Sequence, residues 1–144
     1  MNIWSALEPS QLINLAIILP LIGAALVVML GKHPNLREAA SISIAVVLFT
    51  VVLAITDNTF NQVSMTTSWV TLLAGLEVGF SVEPLGVLFA LVASFLWIVT
   101  TISAIGYMRG HNEDNQTRFF CCFALAISTV MGVCFSDNLL TLFI

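Results

Sequence analysis

Four stretches of this chain contain no Lys, Arg, Asp or Glu: Leu12–Leu30, Ala39–Thr56, Pro84–Met108 and Phe119–Ser136, each 18 to 25 residues long. A helix needs about 18–20 apolar residues to cross a hydrocarbon core of about 30 Å. Lipid offers no partners to the backbone, so a segment that crosses it must satisfy its own hydrogen bonds, as a helix does. The sequence therefore predicts an all-α membrane protein: one membrane domain, 1–144, with transmembrane helices at about 12–31, 39–56, 84–108 and 119–136. Only 8% of residues are charged, against about 25% in a soluble domain, which excludes an ordinary soluble enzyme. The flank Met1–Gln11 has no Lys or Arg and includes Glu8, and no small-residue cleavage pattern follows, so the first stretch reads as a retained helix and not a signal peptide.

The four basic residues occupy two places. Lys32 and Arg37 lie between the first and second stretches, and Arg109 and Arg118 between the third and fourth. Lys and Arg are retained on the cytoplasmic side. The N-terminus, the segment from Asp57 to Glu83 and the turn at Asp137 carry acids and no bases. The expected arrangement is a multi-pass protein of the inner or cell membrane with an external N-terminus. The same distribution lacks the basic footprint of a nucleic-acid binder.

Local signals mark the helix ends. Gly31 before Pro34 ends the first helix, Glu83-Pro84 opens the third with an acid at the positive end of the dipole, and Tyr107 beside Arg109 reads as an interfacial anchor. Pro20 is expected to kink the first helix. Leu76, Val78, Phe80 and Val82 alternate with Glu77, Gly79 and Ser81, and Val63, Met65 and Trp69 share one parity. This predicts a small external β-hairpin between helices two and three, turning at Ala74-Gly75. Gly86, Ala90 and Ser94 in the third helix, and Ala124, Ser128, Gly132 and Ser136 in the fourth, recur every four residues and predict close helix contacts.

After Ser136, Asp137-Asn138 reads as a cap followed by Leu139–Ile144. Seven residues rise only about 10 Å. A fifth helix of that length would leave a terminal carboxylate inside the bilayer at a cost of several kcal/mol. The expectation is a truncated fifth helix from 138 and a chain that begins something longer.

Few side chains suit chemistry. Glu83 and Asp137 are candidate proton-entry acids, though helix capping explains both. Arg109 and Arg118 are expected as membrane anchors, with Glu113 and Asp114 as available partners. His33 and His111 are too separated in sequence to suggest a metal site, and Cys121, Cys122 and Cys134 are read as packing residues. No nucleotide loop, catalytic triad or iron–sulfur cysteine run is present. No catalytic residue, metal or cofactor is expected in this chain.

Four motifs in order carry a family resemblance: Val82-Glu83-Pro84-Leu85-Gly86, Ile105-Gly106-Tyr107-Met108, Arg118-Phe119-Phe120, and Ser136-Asp137-Asn138-Leu139-Leu140-Thr141-Leu142-Phe143. They resemble the antiporter-like membrane subunits. That family includes the proton-pumping subunits of respiratory complex I (NADH:quinone oxidoreductase), the A-type and D-type subunits of Mrp sodium/proton antiporters, and membrane subunits of energy-converting hydrogenases, with the D-type Mrp branch nearest in resemblance. The resemblance implies proton or cation translocation within a multi-subunit membrane complex. It also implies a relay on later helices, beginning with a glutamate on the fifth, of which this chain carries nothing. The implied role is the N-terminal scaffold of a translocating subunit, with the bilayer and other membrane subunits as partners. The alternatives are a membrane subunit of an oxidoreductase or hydrogenase complex, and a stand-alone structural membrane protein.

Overall fold

A computed structural model describes residues 8–61, 66–73, 76–111 and 115–143. The elements run α1 (Pro9–Met29), α2 (Pro34–Phe60), β1 (Thr66–Leu73), β2 (Leu76–Ser81), α3 (Pro84–His111), α4 (Gln116–Cys134) and α5 (Leu139–Phe143). Helices α1 to α4 are each long and apolar enough to cross a membrane, and the protein is an all-α membrane protein with one small two-stranded sheet.

Proline opens three of the helices at the position where its missing N–H costs nothing. Ahead of Pro9, the Glu8 N–H donates to Gln11 Oε1 at 3.2 Å. Pro34 follows a tight corner in which the His33 N–H donates to the Leu30 carbonyl at 2.9 Å. Pro84 follows Glu83, whose carbonyl accepts from the Val87 N–H at 3.0 Å. Asn115 enters α4 with φ of 63°, a left-handed conformation that asparagine tolerates better than most residues. Helix α1 continues through Pro20, which is fully buried within it.

The four long helices pack as neighbours around a ring, with α1 between α2 and α4 and with α3 closing it between α2 and α4. Leu12, Ile13 and Ala16 of α1, Leu48, Val52 and Ile55 of α2, Ala90 and Trp97 of α3, and Ala124 and Met131 of α4 form the shared core. The outward side of α3 presents Leu85, Leu88, Phe89, Val92, Phe95, Leu96, Val99 and Ile102. So long an apolar stripe is larger than a surface facing water normally carries.

The small-residue faces divide unequally. Gly86 meets the Cys134 backbone so closely that a Cβ there would overlap the carbonyl oxygen, while Ala90 and Ser94 are fully buried below it. On α4, Ala124 and Ser128 are buried, and Ser128 Oγ donates to the Ile17 carbonyl of α1 at 2.8 Å. Gly132, expected in the same stripe, has nothing within 4 Å of where its Cβ would stand. Ser136 lies beyond the helix end. Cys121 and Cys134 pack against the core, whereas Cys122 is exposed on the outward face of α4, against the packing role expected for it.

Strands β1 and β2 pair antiparallel, with Thr67 opposite Phe80 and Val70 opposite Val78. Phe80 is buried and Val78 and Val82 pack on the core edge, as their alternation requires. The expected turn at Ala74-Gly75, and Val63 and Met65, lie outside the described residues, as do Glu113, Asp114 and Ile144. The chain after α4 returns to this sheet: the Ser81 N–H donates to the Phe135 carbonyl at 2.8 Å and the Asp137 N–H to the Gly79 carbonyl at 3.1 Å.

Candidate functional site

The two acids singled out by sequence lie at the hairpin end of the bundle. Glu83 is exposed between β2 and α3 and borders a groove of about 480 Å³ between α3 and α4, lined also by Ser81, Phe89, Thr129 and Ser136. Asp137 is exposed beside Gly79 of β2, its Oδ2 about 3.6 Å from where a Cβ on Gly79 would stand. Asp137 is not the residue that caps α5. Asn138 does so, its Oδ1 accepting from the Thr141 N–H at 2.8 Å and the Thr141 hydroxyl at 3.0 Å. The same hydroxyl oxygen accepts from the Gly79 N–H at 3.1 Å, which ties α5 to β2.

A charged cluster that sequence reasoning did not identify lies at the other end. Helix α2 begins at Pro34, five residues before the charge-free stretch, so Arg37 and Glu38 belong to its opening turns and are buried, at 5% and 4% exposure. Glu38 is gripped from α3: Arg109 Nη2 lies 2.5 Å from its Oε2 and Nε donates to its Oε1 at 3.2 Å. This is the two-pronged fork that a guanidinium forms with a carboxylate. Arg109 Nη2 also donates to Asn35 Oδ1 at 2.6 Å. Arg37 turns toward α4, donating from Nη1 to Thr117 Oγ1 at 2.9 Å and from Nη2 to Gln116 Oε1 at 2.6 Å. Its guanidinium lies 5.6 Å from the centre of the Phe120 ring. Glu38 Oε1 is 3.8 Å from Arg37 Nη2, so one carboxylate stands between two guanidiniums.

Arg109, read from the sequence as a membrane anchor, has a carboxylate partner on another helix, Glu38; Glu113 and Asp114, the partners the sequence offered, lie outside the described residues. A signal for the cluster does exist in the sequence. Glu38, Ser41, Ala45, Leu48, Val52 and Ile55 recur at steps of three and four and are all buried, so the inward stripe of α2 runs straight back into Glu38. Nearby, Tyr107 is exposed and stacks on His111 at 4.4 Å.

Chemically, the cluster ties α2, α3 and α4 together at one end and concentrates positive charge there. Arginine is not a proton donor at any working pH, so two of its three charged members carry no proton traffic. Among the described residues no group of three or more His, Cys, Asp or Glu stands where it could hold a metal ion.

No protein-family model matches the chain. Na(+)/H(+) antiporter subunit A1 of Staphylococcus aureus is 27% identical to it over 138 residues, covering 93% of this chain. The likeness is to the antiporter-like family. The A1 subunit of strain JH9 is 26% identical over 138 residues, again covering 93% of this chain. The relatives are much longer, and this chain spans 17% of their length. They are A-type subunits, where the sequence resemblance pointed first to the D-type branch. With four apolar helices, the likeness supports a multi-pass, antiporter-like membrane subunit.

Proposed function

We propose that this chain supplies the scaffold section of a proton- or cation-translocating antiporter-like subunit, within a membrane assembly whose other subunits and lipid are its partners. The observation that carries this reading is the similarity to Na(+)/H(+) antiporter subunit A1 along 93% of the chain. The placement of charge supports the scaffold role. The charge-free stretches make up most of all four long helices, and the charged residues gather toward the helix ends and in the connections. A relay through lipid requires titratable groups at depth. No Asp, Glu, His, Lys or Arg lies along these stretches.

Two reconstitutions test it. In liposomes under an imposed pH gradient, the folded 144-residue chain is expected to pass no more protons or sodium than empty vesicles; specific flux would overturn the scaffold role. A chimera of the Staphylococcus aureus A1 subunit, with this chain in place of the matching section, is expected to keep sodium/proton exchange in everted vesicles. A chimera that inserts at normal levels without exchanging would overturn the antiporter assignment.

The orientation belongs to the same proposal: N-terminus and hairpin outside, the corner at Lys32 and the end of α3 at Arg109 inside. A cysteine introduced at Gly110 is expected to resist a membrane-impermeant thiol reagent applied to intact cells and to react once the cells are opened. Rapid labelling in intact cells would reverse the assigned topology.

A further inference from the structure

Helix α2 has 27 residues and α3 has 28, so each is about 40 Å long, close to the full thickness of a bilayer with its headgroup regions. Their shared end, where Arg37, Glu38 and Arg109 meet, therefore lies at the level of lipid phosphates.

Charge at that end is lopsided. The connections and helix ends on this side hold Lys32, Arg37, Arg109 and Arg118 against Glu38, Glu113 and Asp114. The chain as a whole carries −4, yet this end keeps a positive excess even with both loop acids counted. Within the described cluster the imbalance is sharper, with two guanidiniums to one carboxylate. The Glu38 carboxylate is committed to the Arg109 fork. Arg37 reaches that carboxylate only at 3.8 Å and hydrogen-bonds neutral oxygens, and its buried Nε–H has no partner among the described residues. A buried charge without full compensation is costly, and an anion at the mouth of the cluster relieves it.

The mouth is open. The Arg109 side chain is 54% exposed while Glu38 behind it is 6% exposed. Asn35, bonded to the same guanidinium, is exposed, and Leu36 and Tyr107 expose apolar surface alongside. Cationic donors beside apolar surface at phosphate depth match a lipid with an anionic headgroup, whose phosphate a guanidinium binds in the two-pronged manner. We propose that the Arg37–Glu38–Arg109 cluster is a binding site for the phosphate of an anionic phospholipid, with Arg109 and Asn35 as its contact residues and Arg37 as the buried charge that draws the anion in.

Two substitutions separate this role from a purely structural one. Glu38→Gln and Arg109→Gln break the same ion pair but change the cluster's charge in opposite directions. The purified chain in neutral detergent is titrated with phosphatidylglycerol, phosphatidylcholine or inorganic phosphate, and bound lipid is counted by native mass spectrometry, with helix content checked by circular dichroism. The wild-type chain is expected to prefer phosphatidylglycerol over phosphatidylcholine. Arg109→Gln is expected to weaken phosphatidylglycerol binding about fivefold and Glu38→Gln to strengthen it by a similar factor, since one cation near the surface is worth about 1 kcal/mol. Equal binding of the two lipids by the wild-type chain would overturn the proposal even if both variants fail to fold. So would a shift of the two variants in the same direction. Displacement of phosphatidylglycerol by millimolar inorganic phosphate would assign the site to the free anion and overturn the lipid.

Discussion

Gly86→Val is expected to drive α3 and α4 apart and to destabilise the bundle by about 3 kcal/mol, the upper end of the overpacking range. The obstruction is not one that a side chain can step around. The Cβ of any residue other than glycine has a fixed position, and at Gly86 it falls on the carbonyl oxygen of Cys134, a backbone atom at the end of α4. The helices must separate there, and Ala90 and Ser94, fully buried one and two turns along the same face, lose contact with them. In lipid that contact is the driving force itself, because apolar side chains gain nothing by leaving a solvent as apolar as they are. Gly86→Ala should show most of the effect, since the Cβ is the offending atom. Gly132→Ala on α4, with open space around it, should shift stability by no more than about 0.5 kcal/mol. Unfolding by sodium dodecyl sulfate titration, followed by circular dichroism, reads all three. Equal behaviour of Gly86→Ala and Gly132→Ala would refute the close approach.

Trp97→Ala is expected to cost about 3 kcal/mol, the cavity part of the penalty for truncating a large buried aromatic, since the indole gains nothing by leaving lipid. Trp97 is 3% exposed and stands where all four long helices meet, around a cavity of about 10 Å³ lined also by Gly23, Val27, Ser41, Ile44, Phe120 and Ala124. That space holds about one water molecule at most. Removing the indole opens a void that no single helix can fill by moving, because each is held by two neighbours in the ring. Trp97→Phe keeps most of the volume and should lose well under half as much. The same denaturant titration checks the pair, and a Trp97→Ala variant as stable as Trp97→Phe would show that the helices collapse around the gap.

The helices were legible in the sequence because lipid imposes a rule that side chains cannot soften: charge is excluded over the length of a crossing. That same rule does not reach the first turns of α2, which starts five residues before the charge-free stretch. Treating Ala39 as the boundary assumed that a charged residue must stand outside, yet Arg37 and Glu38 are buried because each has a partner on another helix, contributed by residues some 70 to 80 positions away. Pairing is a tertiary fact. The inward stripe through Glu38 and Ser41 was visible, but a stripe shows which way a residue faces and not what neutralises it. The choice between Asp137 and Asn138 as the cap of α5 was open for a similar reason. Both residue types cap helices equally well, and the decision was made by the bond from Asp137 to Gly79, which sequence could not anticipate. The four-residue stripe on α4 was informative for Ala124 and Ser128, which are buried, and not for Gly132, which has open space beside it, because periodicity does not show what stands opposite each position.

Phe135 and Asp137 bond to residues of β2 that precede them by more than fifty positions, with two membrane-length helices in between. An isolated two-stranded hairpin is only marginally stable. While the chain is being made, β1 and β2 emerge long before α4 does, so their final edge cannot form until α4 has crossed and returned its last residues to the same side. Assembly of this end is thus a matter of timing: the hairpin waits, and the arrival of α4 both completes the sheet and sets the point from which α5 departs.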